Sequence, residues 1–119
     1  MAPPAPVTLY GIRNCDTVRK ARAWLEARCI VHDFHDYKAE GIGRARLEGW
    51  VRELGWEALL NRGGTTFRKL PEAERSGLTE ARAVAFMVAQ PSAIRRPVLE
   101  AGGRLLVGFS PATYATALG

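Results

Sequence analysis

Along residues 6–10, PVTLY, apolar positions crowd into a short run that ends against Gly11. Such a run, bounded by glycine, predicts a first β-strand. From residue 16 the spacing changes. Val18, Ala21, Leu25 and Cys29 fall three or four apart, on one stripe of a helix over 16–28. Cys29 prolongs that stripe and is expected as a small core residue. IVHDFHDY, residues 30–37, alternates Val31 against His32 and Phe34 against His35, which predicts a second strand. Gly41 and Gly43 break the chain. Leu47, Trp50, Val51 and Leu54 then restore the spacing of an amphipathic helix, with Gly55 placed as its C-terminal cap. WEALLN at 56–61 adds a helical turn, and NRGGTTFRKL reads as a glycine-interrupted loop. A helix over 79–89 carries Ala81, Val84, Ala85 and Val88 on its apolar face, with Thr79 at its start. Trp50, Trp56 and Phe86 lie within these apolar patterns and are expected in the core.

Near the end, AIRRPVLE leads into a third strand at about 97–100, Gly102 and Gly103 make a hairpin turn, and RLLVG at 104–108 forms a fourth. In SPATYATAL, Ser110 suits a helix N-cap and Pro111 the first helical position. The order is β-α-β, a run of helices, then β-β-α. A βαβ unit needs a crossover, so its strands pair in parallel; the last two strands pair antiparallel. The pattern predicts an α/β, thioredoxin-like fold: a mixed four-stranded sheet in one domain, 1–119, with a helical insert at about 42–90. MAPPAP at the start reads as a flexible lead-in.

The 119 residues are 47% apolar, enough for one domain to bury a core without cross-links. No apolar run approaches the roughly 18 residues of a membrane span, and MAPPAP lacks the basic and apolar segments of an export signal. The expected location is the cytoplasm. The two cysteines agree: at opposite ends of one helix they stand roughly 21 Å apart, beyond the limit of about 7 Å for a disulfide. Unpaired thiols fit a reducing compartment. The net charge of +5 comes from arginines scattered between Arg13 and Arg104, with no dense run and no aromatic-interleaved stripe. This argues against nucleic acid and leaves a small anionic substrate, or plain solubility, as its meaning. His32 and His35, three apart on a strand, face opposite ways and make a poor metal pair; no metal is expected.

The candidate chemistry starts at Cys15. It sits after the first strand, at the mouth of the first helix, where unpaired N–H groups and the helix dipole favour an anion. Arg13, Arg19 and Lys20 add positive charge, and Asp16 opposes them. A thiol so placed has a lowered pKa and is the expected nucleophile. In IRRP, residues 94–97, a cis peptide before Pro97 would let the backbone approach that thiol, and Arg96 could reach an anion bound there. Asn14, Arg62, Arg96 and Pro97 are the expected substrate-binding positions. Arg68 is an alternative to Arg62 within the polar loop.

VTLYGIRNCDTVRKARAWLE, FHDY, LGWEALLNRGGTTFRKL and IRRPVLE with GRLLVGF resemble the arsenate reductase (ArsC) family, most closely its YffB-like branch, which is related to the Spx regulators. The resemblance runs over nearly the whole chain from Val7. It implies a thioredoxin-like fold with an inserted helical subdomain and a single nucleophilic cysteine, Cys15. It implies no bound cofactor, glutathione as co-substrate, and glutaredoxin as a redox partner. Oxyanion-binding arginines are implied as well, one at Arg96. Two positions depart from the reductase pattern. Asn61 stands where an arginine follows the ALL turn, with Arg62 one step on, and Val107, Gly108 and Phe109 stand where a last arginine is expected. A tetrahedral dianion wants several guanidinium contacts, so these departures point away from arsenate. The implied function is a single-cysteine, glutathione-dependent thiol oxidoreductase. The alternative is an Spx-like regulator that binds RNA polymerase without catalysis; the CxxC switch common in that group is absent, because Val18 stands three residues after Cys15.

Overall fold

The structure, a computed structural model, describes residues 6–118. The lead-in expected at 1–6 therefore lies, except for Pro6, outside the described residues. The elements run β1 (Val7–Gly11), α1 (Asp16–Ala27), β2 (Asp33–Asp36), α2 (Tyr37–Glu40), α3 (Arg44–Leu54), α4 (Trp56–Leu59), α5 (Thr65–Arg68), α6 (Glu72–Ser76), α7 (Glu80–Ala89), a 3-10 turn (Pro91–Ala93), β3 (Val98–Ala101), β4 (Arg104–Val107) and α8 (Pro111–Leu118). The chain forms two compact units: residues up to Asp36 together with those from Arg96 onward, and Tyr37–Arg95.

The first unit is a four-stranded sheet in the order β2-β1-β3-β4. β1 pairs parallel with β2, Leu9 opposite Phe34, and antiparallel with β3, Leu9 opposite Leu99. β3 and β4 form the expected hairpin. Its turn residues Gly102 and Gly103 both hold positive φ, 53° and 84°, as a two-residue type I′ turn demands. Val18, Ala21 and Leu25 bury the stripe of α1 against Leu9, Leu99 and Tyr114. Tyr114 takes Trp24 and Phe109 edge-on, at 5.6 and 4.8 Å between ring centres. Ser110 caps α8, accepting the Thr113 N–H at 3.1 Å. This mixed sheet with flanking helices is the expected thioredoxin-like arrangement.

Cys29 corrects the stripe read from the sequence: it is exposed. Its φ is 57°, in the left-handed region. Helix α1 ends in a Schellman motif, with the Cys29 N–H on the Glu26 carbonyl and the Ile30 N–H on the Leu25 carbonyl, both at 3.0 Å. Cys29 occupies the position that usually holds glycine, so it turns out of the stripe and hands the apolar contact to Ile30, which packs on the core. A left-handed residue with a Cβ costs about 1–2 kcal/mol. Cys29→Gly is therefore expected to raise the urea midpoint, gaining about 1 kcal/mol once glycine's greater unfolded freedom is subtracted. The same turn shortens the second strand from the expected 30–37 to 33–36. Val31 is 91% exposed, and His32 bonds its Nδ1 to the Ile30 carbonyl at 3.1 Å rather than joining the sheet.

The second unit, Tyr37–Arg95, is helical. Leu47, Trp50 and Val51 are buried on α3, and Gly55 closes that helix at φ 85°. Tyr37 is fully buried, and its hydroxyl donates to the Ile94 carbonyl at 3.0 Å. The chain is stitched across Leu60 and Ile94 by the Asn61 N–H on Ala93 (2.8 Å) and the Arg95 N–H on Leu59 (2.7 Å). On α7 the buried residues are Ala83, Val84 and Met87, whereas Ala81 and Ala85 are exposed. The real face is rotated from the expected one, because alanine is too small to reveal its side and Met87 sets the direction. Trp56 and Phe86 are half-buried rather than core. The segment read as a loop, residues 61–70, contains α5, a single turn that buries Phe67; α6, in the unassigned stretch after it, buries nothing and so leaves no stripe to detect.

Candidate functional site

Gly11 ends β1 where the sheet meets the start of α1. A Cβ on Gly11 would stand 2.7 Å from Cγ2 of Val18, which is fully buried. Only glycine lets the first turn of α1 come this close to the strand. The turn between them closes with the Cys15 N–H on the Ile12 carbonyl at 3.2 Å, and the Arg13 N–H reaches Asp36 Oδ2, at the end of β2, at 3.3 Å. Cys15 is thereby held as the N-cap residue of α1, with extended backbone. The sequence signal for this close approach is the glycine closing the strand, which by pattern alone reads only as a boundary.

Cys15 is half-buried, and its side chain makes no oxygen-type cap hydrogen bond. The first-turn N–H groups act on its sulfur instead. Partial burial is the largest single influence and works against the thiolate. It is outweighed by the Val18 N–H, the Arg96 side chain acting both as donor and as charge, and the Thr17 N–H, so the thiol titrates below its ordinary range. Arg96, half-buried, precedes the buried Pro97 across a cis peptide bond, as expected. Pro97 is fixed from the other side: its carbonyl accepts the Gly108 N–H at 2.8 Å.

The other predicted positions divide. Asn14 is exposed, and its carbonyl accepts from Arg19 Nη2 at 3.3 Å. Arg19 also pairs with Asp16 at 2.9 Å. Arg19 thus offsets Asp16, the acid beside the thiol, rather than reaching the sulfur itself. Arg62 belongs to the second unit, where its guanidinium lies 5.5 Å from the Trp56 ring centre. Asn61 holds its own loop together. Its carbonyl accepts the Gly64 N–H, and its side chain packs so close to Gly64 that a Cβ there would come within 2.8 Å of its amide nitrogen. Val107 lies in the last strand, and Gly108 turns at φ 83°. Among the described residues, no group of three or more His, Cys, Asp or Glu is arranged to hold a metal, and no helix is long and apolar enough to cross a membrane.

Residues 10–117 match the pattern of the ArsC family. The chain belongs to the ArsC family. Among solved structures, the protein named YFFB is 58% identical, covers 95% of this chain and 99% of its own, and superposes with a TM-score of 0.91. An arsenate reductase (ArsC) related protein from Brucella melitensis is 52% identical, with 98% and 97% coverage and a TM-score of 0.78. The global transcriptional regulator Spx of Streptococcus mutans is 28% identical over 106 residues, 87% of this chain and 77% of that protein.

The close strand–helix packing gives a first test of the site. Gly11→Ala is expected to lower stability by about 1–3 kcal/mol, because the buried Val18 must retreat. It should also slow alkylation of Cys15, because the Val18 and Thr17 N–H groups retreat with it. Urea unfolding and iodoacetamide kinetics on the same variant check both halves.

Proposed function

We propose that this protein is a cytoplasmic, single-cysteine thiol oxidoreductase that works with glutathione. The observation that carries this reading is the placing of Cys15 at the N-cap of α1, where its thiol titrates below its ordinary range. A second thiol on the same helix is excluded from the first turn, since Val18, at the CxxC position, is core. Cys29 lies at the far end, roughly 21 Å along the helix. Resolution of any disulfide formed at Cys15 therefore falls to an external thiol.

The reaction is thiol–disulfide exchange. The Cys15 thiolate attacks one sulfur of a disulfide; the S–S bond breaks, and its electron pair leaves with the second sulfur, which takes a proton from water. A mixed disulfide remains on Cys15. A glutathione thiolate attacks its Cys15 sulfur and releases the first substrate half as a thiol. A second glutathione then frees Cys15 and leaves glutathione disulfide, either directly or by way of a glutaredoxin thiol that first takes the glutathionyl group and passes it to that second glutathione. One substrate disulfide and two glutathiones become two thiols and one glutathione disulfide. Arg96 assists by stabilising the Cys15 thiolate, both as attacking group and as final leaving group, and Asn14 is proposed as a further substrate contact.

The test is incubation with glutathione disulfide, followed by mass mapping. One glutathionyl group on Cys15, released by reduced glutathione, is the expected result. Absence of any adduct there would remove the oxidoreductase reading. The regulator reading, supported by the Spx relatives, would then lead, and pull-down of RNA polymerase subunits would decide it.

A further inference from the structure

Two guanidinium groups meet on one aromatic ring beside the loop that carries Cys15. Arg22, on the second turn of α1, has its Cζ 4.5 Å from the centre of the Phe34 ring. Arg13, two residues before Cys15, has its Cζ 5.9 Å from the same centre. Phe34 itself is fixed, packed against the core on the edge strand β2. Among the described residues, neither guanidinium pairs with a carboxylate; the ion pair that the first helix does make, Arg19 with Asp16, leaves both untouched. The Nε of Arg22 is closed off from solvent and has no hydrogen-bond partner among the described residues.

Two like charges stand beside one ring with no carboxylate on either guanidinium, an arrangement that an anion from outside would relieve. Asp36 accepts from the Arg13 backbone N–H rather than from its side chain, and because the Arg22 Nε is closed to solvent, a guest would meet Arg22 at its terminal nitrogens. Cation–π contact with Phe34 favours these positions of the two guanidinium groups, each of which can offer a fork to a carboxylate. Arg13 stands two residues before Cys15, a stretch of chain that spans at most about 7 Å, so a group held at Arg13 falls within a substrate's length of the thiol.

We infer that Arg13 and Arg22, mounted on Phe34, form an anion subsite that binds a carboxylate of the disulfide attacked by Cys15. The substrate class is thus a carboxylated disulfide, of which glutathione disulfide is one. This inference rests on Cys15 being the attacking group; it does not require glutathione to be the ligand.

The experiment compares two aryl disulfides in a Cys29→Ser background, 5,5′-dithiobis(2-nitrobenzoate), which is a dianion, and neutral 2,2′-dithiodipyridine. The readout is the ratio of their second-order rates with Cys15, at low salt. The ratio is expected to fall about tenfold in the double variant Arg13→Gln, Arg22→Gln, in keeping with the loss of a charge-assisted hydrogen bond. It should fall partway in Arg13→Gln alone, whose exposed side chain leaves folding out of question. Arg22→Lys keeps the charge but loses the fork, and should give an intermediate ratio. Added salt should narrow the gap in the parent and do less in the double variant. An unchanged ratio in Arg13→Gln and in the double variant would overturn the subsite. If glutathione still modifies Cys15 in that case, the oxidoreductase reading stands and only the subsite falls. A fallen ratio with no glutathione adduct would keep the subsite and remove glutathione as its ligand.

Discussion

Cys15→Ser is expected to abolish every disulfide and alkyl adduct at the first helix and, in the same variant, to flatten part of the protein's stability profile against pH. The second effect follows from linkage. The folded protein holds the thiol below its ordinary range, so between the folded midpoint and the unfolded value of about 8.5 the unfolded chain binds more protons than the native one. Stability therefore rises with pH through that window. The contribution is full above the unfolded value and is lost as pH falls through the folded midpoint. Serine has no proton to lose there, so the difference in unfolding free energy between the parent and the Cys15→Ser variant should grow with pH and then level off. Both proteins should carry Cys29→Ser, so that one thiol titrates. Urea unfolding at a series of pH values measures the difference, with all other groups cancelling. A difference that stays constant across the window would show that folding does nothing for the thiolate, and the helix mouth would lose its chemical meaning.

The parts of this site that were legible in the sequence share a cause: they follow from local chain order. A strand, a short loop and a cysteine before a helical stripe place a thiol at an N-cap whatever the rest of the chain does. Arginine then proline before the third strand put Arg96 in the first unit with it, because that strand is β1's antiparallel neighbour. What escaped were features set by three-dimensional approach. Cys29 fits the apolar stripe by spacing, yet the helix needs a left-handed residue there to close its last carbonyls, and termination outweighs periodicity. Arg19 reads as a cation for the thiol, but Asp16 lies one helical turn away and takes it. The convergence of Arg13 and Arg22 on Phe34 joins a loop, a helix and a strand, so no spacing along the chain announces it. Helix α6 escaped for the opposite reason: with no buried residue, it carries no pattern to read.

Arg96→Met should be the substitution that separates reactivity from folding most sharply. Methionine keeps the length and apolar stem of the side chain and removes both its charge and its donors. The forces on Cys15 then rebalance. Partial burial, the largest influence, still opposes the thiolate, while only the Val18 and Thr17 N–H groups remain to support it. The pH midpoint of Cys15 alkylation should move upward, and the rate below that midpoint should fall. A hydrogen bond to a charged group contributes about 1.5–3 kcal/mol when well shielded. Cys15 is only half-buried and solvent screens part of that, so a rate loss of about three- to tenfold is the expected scale. Arg96→Lys keeps the charge without the planar fork and should fall between the two. The rate above the midpoint carries the deciding information. There the thiol is ionised in every variant, and a thiolate of higher pKa is intrinsically the better nucleophile. If Arg96 acts only by holding the anion, the methionine variant should match or exceed the parent with neutral iodoacetamide at high pH. A rate that stays low at every pH would mean that Arg96 shapes access to the sulfur, and its part in tuning the thiol would have to be given up.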